Sequence, residues 1–159
     1  MTREYARCPR GDRANDSVPR NRGTVVTMLG AMTCEGMFAV MTVEGATDTD
    51  VFETYVKCVL MPKLDRGDIV VLDNLGAHRT QRVRELFAGS GVRVKYLPPY
   101  SPDLNPIELA WAKLKQQLKG AKARTHDALN AAIADAMTTI SPEDARAWIT
   151  HCGYAISAQ

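Results

Sequence analysis

The architecture of this chain is set by two stretches, Asp68–Asn74 (DIVVLDN) and Leu97–Glu108 (LPPYSPDLNPIE). The first is a short apolar run of the kind that is buried on both faces in a parallel sheet, and Asp73 follows its last apolar residue. The second contains four prolines, each of which fixes its own φ, and it ends at Glu108 in the first turn of a predicted helix. A strand end and a stiff loop therefore each present one acid.

Hydrophobic periodicity on either side of these stretches predicts the element order β-β-α-β-α-β-α-α-α. A hairpin followed by a β-α-β unit indicates an α/β fold with a mixed sheet flanked by helices. Such sheets bind ligands at the carboxyl ends of their parallel strands, which is where Asp73 is expected. The predicted strands are residues 24–32, 37–43, 68–74 and 92–97, and the predicted helices are residues 48–64, 80–88, 106–122, 125–140 and 141–151.

Length and composition indicate a single globular domain. The chain has 159 residues, of which 45% are hydrophobic and 24% charged, and these proportions are ordinary for a chain with one core. We divide it into an irregular basic segment (1–23), an α/β core (24–123) and C-terminal helices (125–156). The net charge of +2 is too small for an argument about nucleic acid, although arginines crowd the first segment.

The four cysteines are far apart and form no CxxC pair, which argues against a zinc site and against a disulfide framework. Reduced thiols fit a cytoplasmic protein. The first residues lack the apolar core of a secretory signal, and no apolar stretch approaches the length of a membrane span. We therefore expect a cytoplasmic protein without a membrane partner.

Both acids also have a structural interpretation. The turn that follows Asp73 is ordinary turn chemistry. Asn105 and Glu108 fit a capping box, with Asn at the N-cap and Glu three residues later. The proline-rich loop is stiffer than a cap requires, which favours a carboxylate that must hold its position. Asn74 and His78 follow Asp73 on the same predicted loop and are candidate contacts to nucleic acid.

Two carboxylates that meet from separate elements could hold hard divalent cations such as Mg²⁺. A pair of these ions can activate a nucleophile and stabilise the leaving oxygen of a phosphodiester. Glu108 projects toward the side of its helix that carries Lys115 and Lys119, and Lys113 lies on the same helix. The three lysines are candidate phosphate contacts, and a solvated charged face is the alternative.

Three segments, LDNLGAHRT, KYLPPYSPDLNPIELAWAKLKQ and AWITHCGY, closely resemble the DDE-type catalytic domain of bacterial insertion-sequence transposases in the mariner-like superfamily. Thirty-four residues lie between Asp73 and Glu108, a spacing typical of that group. The resemblance implies a ribonuclease H-like fold and Mg²⁺-dependent (or Mn²⁺-dependent) cleavage and joining of DNA at transposon ends. It also implies that Asp73 and Glu108 are the second and third catalytic, metal-binding acids.

The resemblance leaves the first acid unaccounted for. In this family that Asp lies on the first, central strand, before the stretch that matches residues 1–5. Asp12 and Asp16 are poor substitutes, because both lie in Arg-, Pro- and Gly-rich sequence. We therefore expect the sheet to lack its first central strand and the isolated chain not to cleave DNA.

Two other interpretations stay open. The chain could be a non-catalytic remnant that binds DNA, another copy of itself or an intact transposase subunit. It could also be a metal-independent α/β binding protein, in which Asp73 and Glu108 are only turn and cap residues.

Overall fold

The computed structural model describes residues 7–13 and 25–156, so most of the predicted basic segment lies outside the described residues. The described residues follow the predicted element order, with small shifts at the element ends. The strands are β1 (Val26–Thr33), β2 (Gly36–Glu44), β3 (Ile69–Leu72) and β4 (Arg93–Tyr96), and the α-helices are α1 (Thr49–Tyr55), α2 (Gln81–Ala88), α3 (Ile107–Ala121), α4 (His126–Thr138) and α5 (Pro142–His151).

The helix predicted over residues 48–64 changes its winding along its length. Asp48 caps α1 by accepting a hydrogen bond from the Val51 amide, as a helix N-cap does. The helix then widens into a π-helical turn at Val56–Leu60 and tightens into a 3-10 turn at Met61–Lys63. Pro62 has no amide to donate, and its ring crowds the carbonyl four residues earlier, so regular α-helical bonding cannot continue there.

The strands form two separate pairs. β1 and β2 are antiparallel, whereas β3 and β4 are parallel, with Ile69 opposite Arg93 and Leu72 opposite Tyr96. The parallel pairing of β3 and β4 confirms that prediction. Within the described ranges no strand joins the two pairs, which is the arrangement predicted for a mixed sheet that lacks its first central strand. β1 and β3 therefore each have one unpaired edge within the described structure.

Helix α3 packs against β1 at Gly30. A Cβ at this glycine would lie 3.1 Å from the Trp111 side chain and 3.1 Å from that of Val40, which is tighter than ordinary van der Waals contact. The absence of a side chain at Gly30 thus lets the helix lie close to the strand.

The core consists of two clusters that hold the two acid-bearing elements. One surrounds α1, α2 and the β3–β4 pair, with Phe52, Tyr55, Val83 and Phe87 buried. The other packs α3 against α4, and it buries Leu114 and Leu118 of α3. In the part of the chain that the structure describes, no helix is long and apolar enough to cross a membrane.

Candidate functional site

The two predicted acids line one cleft between the strand pairs. Its walls are Met28–Thr33 of β1 and Asp68–Asp73, which includes β3, and its volume is about 670 Å³. Asp73, His78 and Glu108 all contribute to the lining. The structure therefore places the two carboxylates on the lining of a common cavity.

Asp73 directly follows β3, and its carboxylate is held by its own loop. The Leu97 amide donates to the Leu72 carbonyl over 2.8 Å, which joins the end of β3 to the start of the proline-rich loop. The Leu75 amide donates to Oδ1 of Asp73 over 3.1 Å. This is the turn that the Asp-Asn sequence favours, and it orients the side chain while leaving it 31% exposed.

His78 lies beside Asp73, with its Nδ1 2.6 Å from Oδ1 of the acid and 18% of its side chain exposed. The two atoms lack the alignment of a hydrogen bond. The His78 ring also packs on Phe52, with the centroids 4.0 Å apart, and its carbonyl accepts from the Tyr96 hydroxyl. His78 is thereby fixed as a neighbour of the acid; its predicted contact with nucleic acid remains a prediction.

Asn74 is hydrogen-bonded by Arg79, a residue that was not among the candidates from the sequence. Its Oδ1 accepts a hydrogen bond of 2.8 Å from Nη1 of Arg79. Arg79 is exposed and ends a short 3-10 turn, Gly76–Arg79, on the loop after Asp73. Its position in the sequence, directly after the candidate His78, was the signal that could have identified it. The structure thus supplies an additional guanidinium close to the predicted site.

Glu108 lies in the first turn of α3 and is exposed. The capping-box interpretation is wrong, because Pro106 is the N-cap residue and no side chain caps this helix. The preceding loop is held by a 3-10 turn at Pro102–Leu104 and by the Tyr154 hydroxyl, which donates to the Leu104 carbonyl over 2.7 Å. A rigid loop and a buried helix face therefore position the glutamate without a capping contact.

The three candidate lysines of α3 differ in their surroundings. Nζ of Lys113 donates to the Asp144 carboxylate and to the Thr139 carbonyl, both over 2.6 Å. The hydrogen bond from Lys113 holds the pKa of Asp144 below its usual value. Lys113 thus joins α3 to the end of α4 and the start of α5, whereas Lys115 is exposed and Lys119 half-buried.

The donor set available to a metal consists of two carboxylates. Within the described ranges, no three His, Cys, Asp or Glu residues are grouped so that they could hold a metal ion. The four cysteines are free. Asp73 and Glu108 supply hard oxygen ligands that suit Mg²⁺ or Mn²⁺, but they form only part of a coordination shell.

Residues 1–130 match the family model described as DDE superfamily endonuclease. This chain belongs to the DDE superfamily of endonucleases. The match extends through β1–β4, α3 and the first residues of α4, so it includes both acids of the cleft.

The DDE endonuclease chain is similar to curated transposases of two nematodes. It is 30% identical over 113 residues to the transposable element Tc1 transposase of Caenorhabditis elegans, covering 69% of this chain and 41% of that protein. It is also 30% identical over 108 residues to the Tcb1 transposase of Caenorhabditis briggsae, covering 65% and 40%. The chain therefore spans about two fifths of the length of these relatives.

Solved structures of the Mos1 transposase share the fold. The paired-end complex with the left transposon end matches with a TM-score of 0.72 at 15% identity, covering 95% of this chain and 47% of that chain. The strand transfer complex matches with a TM-score of 0.68 at 16% identity, covering 98% and 51%. These matches confirm the ribonuclease H-like α/β fold, and together with the nematode relatives they confirm the resemblance to mariner-like transposases.

Proposed function

We propose that this DDE endonuclease chain is part of a transposase catalytic domain, and that it contributes two carboxylates to divalent-metal-dependent cleavage and joining of DNA at transposon ends. The observation that carries the proposal is that Asp73 and Glu108, from separate elements, line the same cleft. The named relatives, which are transposases, support the proposed reaction.

Asp73 is the better oriented of the two acids. Leu75 and His78 both contact its Oδ1, so we assign Oδ2 to a cation. His78 acts as a positioning residue, since its ring is confined by Phe52 and its Nδ1 lies against the carboxylate. Contacts of this kind around a ligating carboxylate orient it toward its metal.

Glu108 supplies the second carboxylate from α3. Its place in the first turn of that helix puts the side chain near the positive end of the helix dipole, where acidic residues are favourable. A bound Mg²⁺ or Mn²⁺ would polarise the phosphodiester and lower the pKa of the attacking water or 3′-hydroxyl. The task of the two residues is to hold that cation.

The two acids form an incomplete site by themselves. Within residues 7–13 and 25–156 no three His, Cys, Asp or Glu side chains form a group that could hold a metal ion. We propose that the completing carboxylate comes from a further polypeptide segment and that the isolated chain does not cleave DNA. Sustained nicking of a supercoiled plasmid by the purified chain with Mn²⁺, lost in Asp73→Asn, would overturn this part of the proposal.

Calorimetric titration with Mn²⁺ tests the carboxylate pair directly. We expect Asp73→Asn and Glu108→Gln each to weaken Mn²⁺ binding at least about tenfold, because each removes one charged ligand of a small set. Asp50→Asn is the matched control, since Asp50 is an exposed carboxylate paired with Arg82 and does not line the cleft. Unchanged affinity in both site variants would favour a metal-independent binding protein.

A second candidate function is a non-catalytic remnant that associates with an intact transposase subunit. The observation that favours it is the unpaired edge of β3, where Ile69 is 49% and Val71 43% exposed. Open strand edges are sites for adding a strand from another chain. Translation of the DNA upstream of codon 1 in all frames separates the two functions. A strand ending in Asp-Glu-Ser favours the enzyme, and its absence favours the remnant.

A further inference from the structure

Tyr100 combines full exposure of its side chain with an unusual backbone conformation. Its φ is +56°, in the left-handed region that bulky side chains rarely adopt, and its ring lies entirely in solvent. Backbone strain of this kind persists only where the surrounding structure imposes it, and it concentrates at functional sites. An aromatic ring that gains nothing from packing is therefore held in place at a cost in stability.

The loop that presents Tyr100 is fixed at both ends. Its start is bonded to β3 through the Leu97 amide, and the turn after it is held by the Tyr154 hydroxyl at the Leu104 carbonyl. Pro98, Pro99 and Pro102 limit the backbone on both sides of the tyrosine. The ring is thus presented in a defined position, and a ligand that contacts it need not order the loop first.

The loop also leads directly into the acid site. It connects β4 to α3, and Asn105, Pro106, Ile107 and Glu108 at its end line the cleft. Among the exposed large apolar side chains of the described residues, Tyr100 is the one on this loop, and its ring is fully accessible to a ligand. A single flat ring suits a flat ligand better than it suits a protein surface.

We propose that Tyr100 is a stacking residue that receives an unpaired base of the DNA beside the Asp73–Glu108 site. This inference rests on the proposed function, which makes DNA the substrate. Every base has a π-face, so such a contact holds the strand without selecting a particular sequence. Its role is to position the strand, and the acids remain the groups that hold the metal.

Binding of the full chain to a single-stranded oligonucleotide carrying 2-aminopurine tests the proposal, with anisotropy for affinity and quenching for stacking. We expect Tyr100→Ala to weaken binding between about fivefold and about 100-fold. The same variant should lose the quenching of 2-aminopurine fluorescence that stacking on the ring causes. Tyr100→Phe and Tyr100→Trp keep an aromatic face and should bind within about twofold of wild type. Val25→Ala, at an exposed residue that does not line the cleft, should bind as wild type does.

Tyr100→Gly separates binding from stability. Glycine accepts the left-handed backbone without strain, so this variant should melt at a higher temperature than wild type while losing affinity as Tyr100→Ala does. A structural role for the ring predicts the opposite change in melting temperature. Wild-type affinity in both Tyr100→Ala and Tyr100→Gly, with Mn²⁺ binding intact, would overturn this inference alone. Failure of the wild-type chain to bind DNA would overturn the proposed function and this inference with it.

Discussion

Nδ1 of His78 lies 2.6 Å from Oδ1 of Asp73, and the His78 ring is confined by Phe52 at a centroid distance of 4.0 Å. The histidine therefore has little freedom to turn away from the acid. Since the Leu75 amide donates to the same oxygen, the carboxylate plane is restrained from two directions. A loop that could have been only a turn thus presents an oriented acid in the cleft.

Replacing His78 by alanine should weaken Mn²⁺ binding about 10- to 100-fold, because the carboxylate of Asp73 loses a neighbour that orients it. Calorimetric titration of the purified chain measures the change. His126→Ala is the control, since this exposed histidine pairs with Glu44 and does not line the cleft. Affinity equal to or above that of wild type in His78→Ala would show that the contact has no positioning role.

Replacement by methionine should affect different properties at Lys113 and Lys115: thermal stability at the first and DNA binding at the second. Lys113→Met removes the bonds to Asp144 and Thr139, so we expect its melting temperature to fall by about 2–4 °C with little change in DNA affinity. Lys115→Met should keep its melting temperature and weaken DNA binding, with the salt dependence of binding reduced by about one unit of slope. Thermal melts and anisotropy at several salt concentrations test both. Equal effects of the two variants on DNA binding would contradict the distinction.

The ion pair between Lys113 and Asp144 should make the thermal stability of the protein depend on pH. Lys113 lowers the pKa of Asp144 in the folded protein below its ordinary value of 3.8, so this contribution is present above that value and is lost as pH falls below it. We expect Asp144→Asn to melt below wild type near neutral pH and to approach it as the pH falls well below 3.8. Melting curves of both proteins across this range give the comparison. A difference that does not shrink in acid would show that the effect does not depend on the charge of Asp144.

Gly30→Val should destabilise the protein by about 1–3 kcal/mol, because the new side chain would collide with Trp111 and Val40. Urea unfolding measures the loss. Gly89→Ala is a suitable control, since a Cβ at Gly89 meets nothing within 4 Å and its φ is −80°. Wild-type stability in Gly30→Val would mean that α3 can move away from β1, and with it Glu108.

Hydrogen exchange should reveal the open edge of β3. The carbonyls of Asp68 and Leu72 accept bonds from β4, so the two-residue period of the strand directs the backbone of Ile69 and Val71 to the other edge. We expect the amides of Ile69 and Val71 to exchange at least about tenfold faster than those of Val70 and Leu72. Uniform protection along β3 would indicate that another segment or chain covers this edge.

Local patterns in the sequence predicted most of the fold and both acids. Strand alternation, helical periodicity and caps such as Asp48 depend on residues within a few positions of one another, so the element order follows from them. The parallel pairing of β3 and β4 followed from the intervening helix, and Asp73 directly follows the carboxyl end of β3. The predicted capping box at Asn105 was wrong. Pro106 is the N-cap residue, so α3 begins at Ile107, one residue later than the pattern requires.

The hydrogen-bond partners of the charged side chains were decided by tertiary packing. Lys113 has the same sequence signal as its neighbours on α3, yet its bond to Asp144 spans 31 positions, and the bond between Tyr154 and Leu104 spans 50. No local pattern encodes such contacts, because they form only when separate helices and loops are brought together. The residue types at positions 73 and 108 were evident in the chain itself. Their places on the lining of one cleft and the packing of the His78 ring on Phe52 depend on contacts between elements that are remote in sequence.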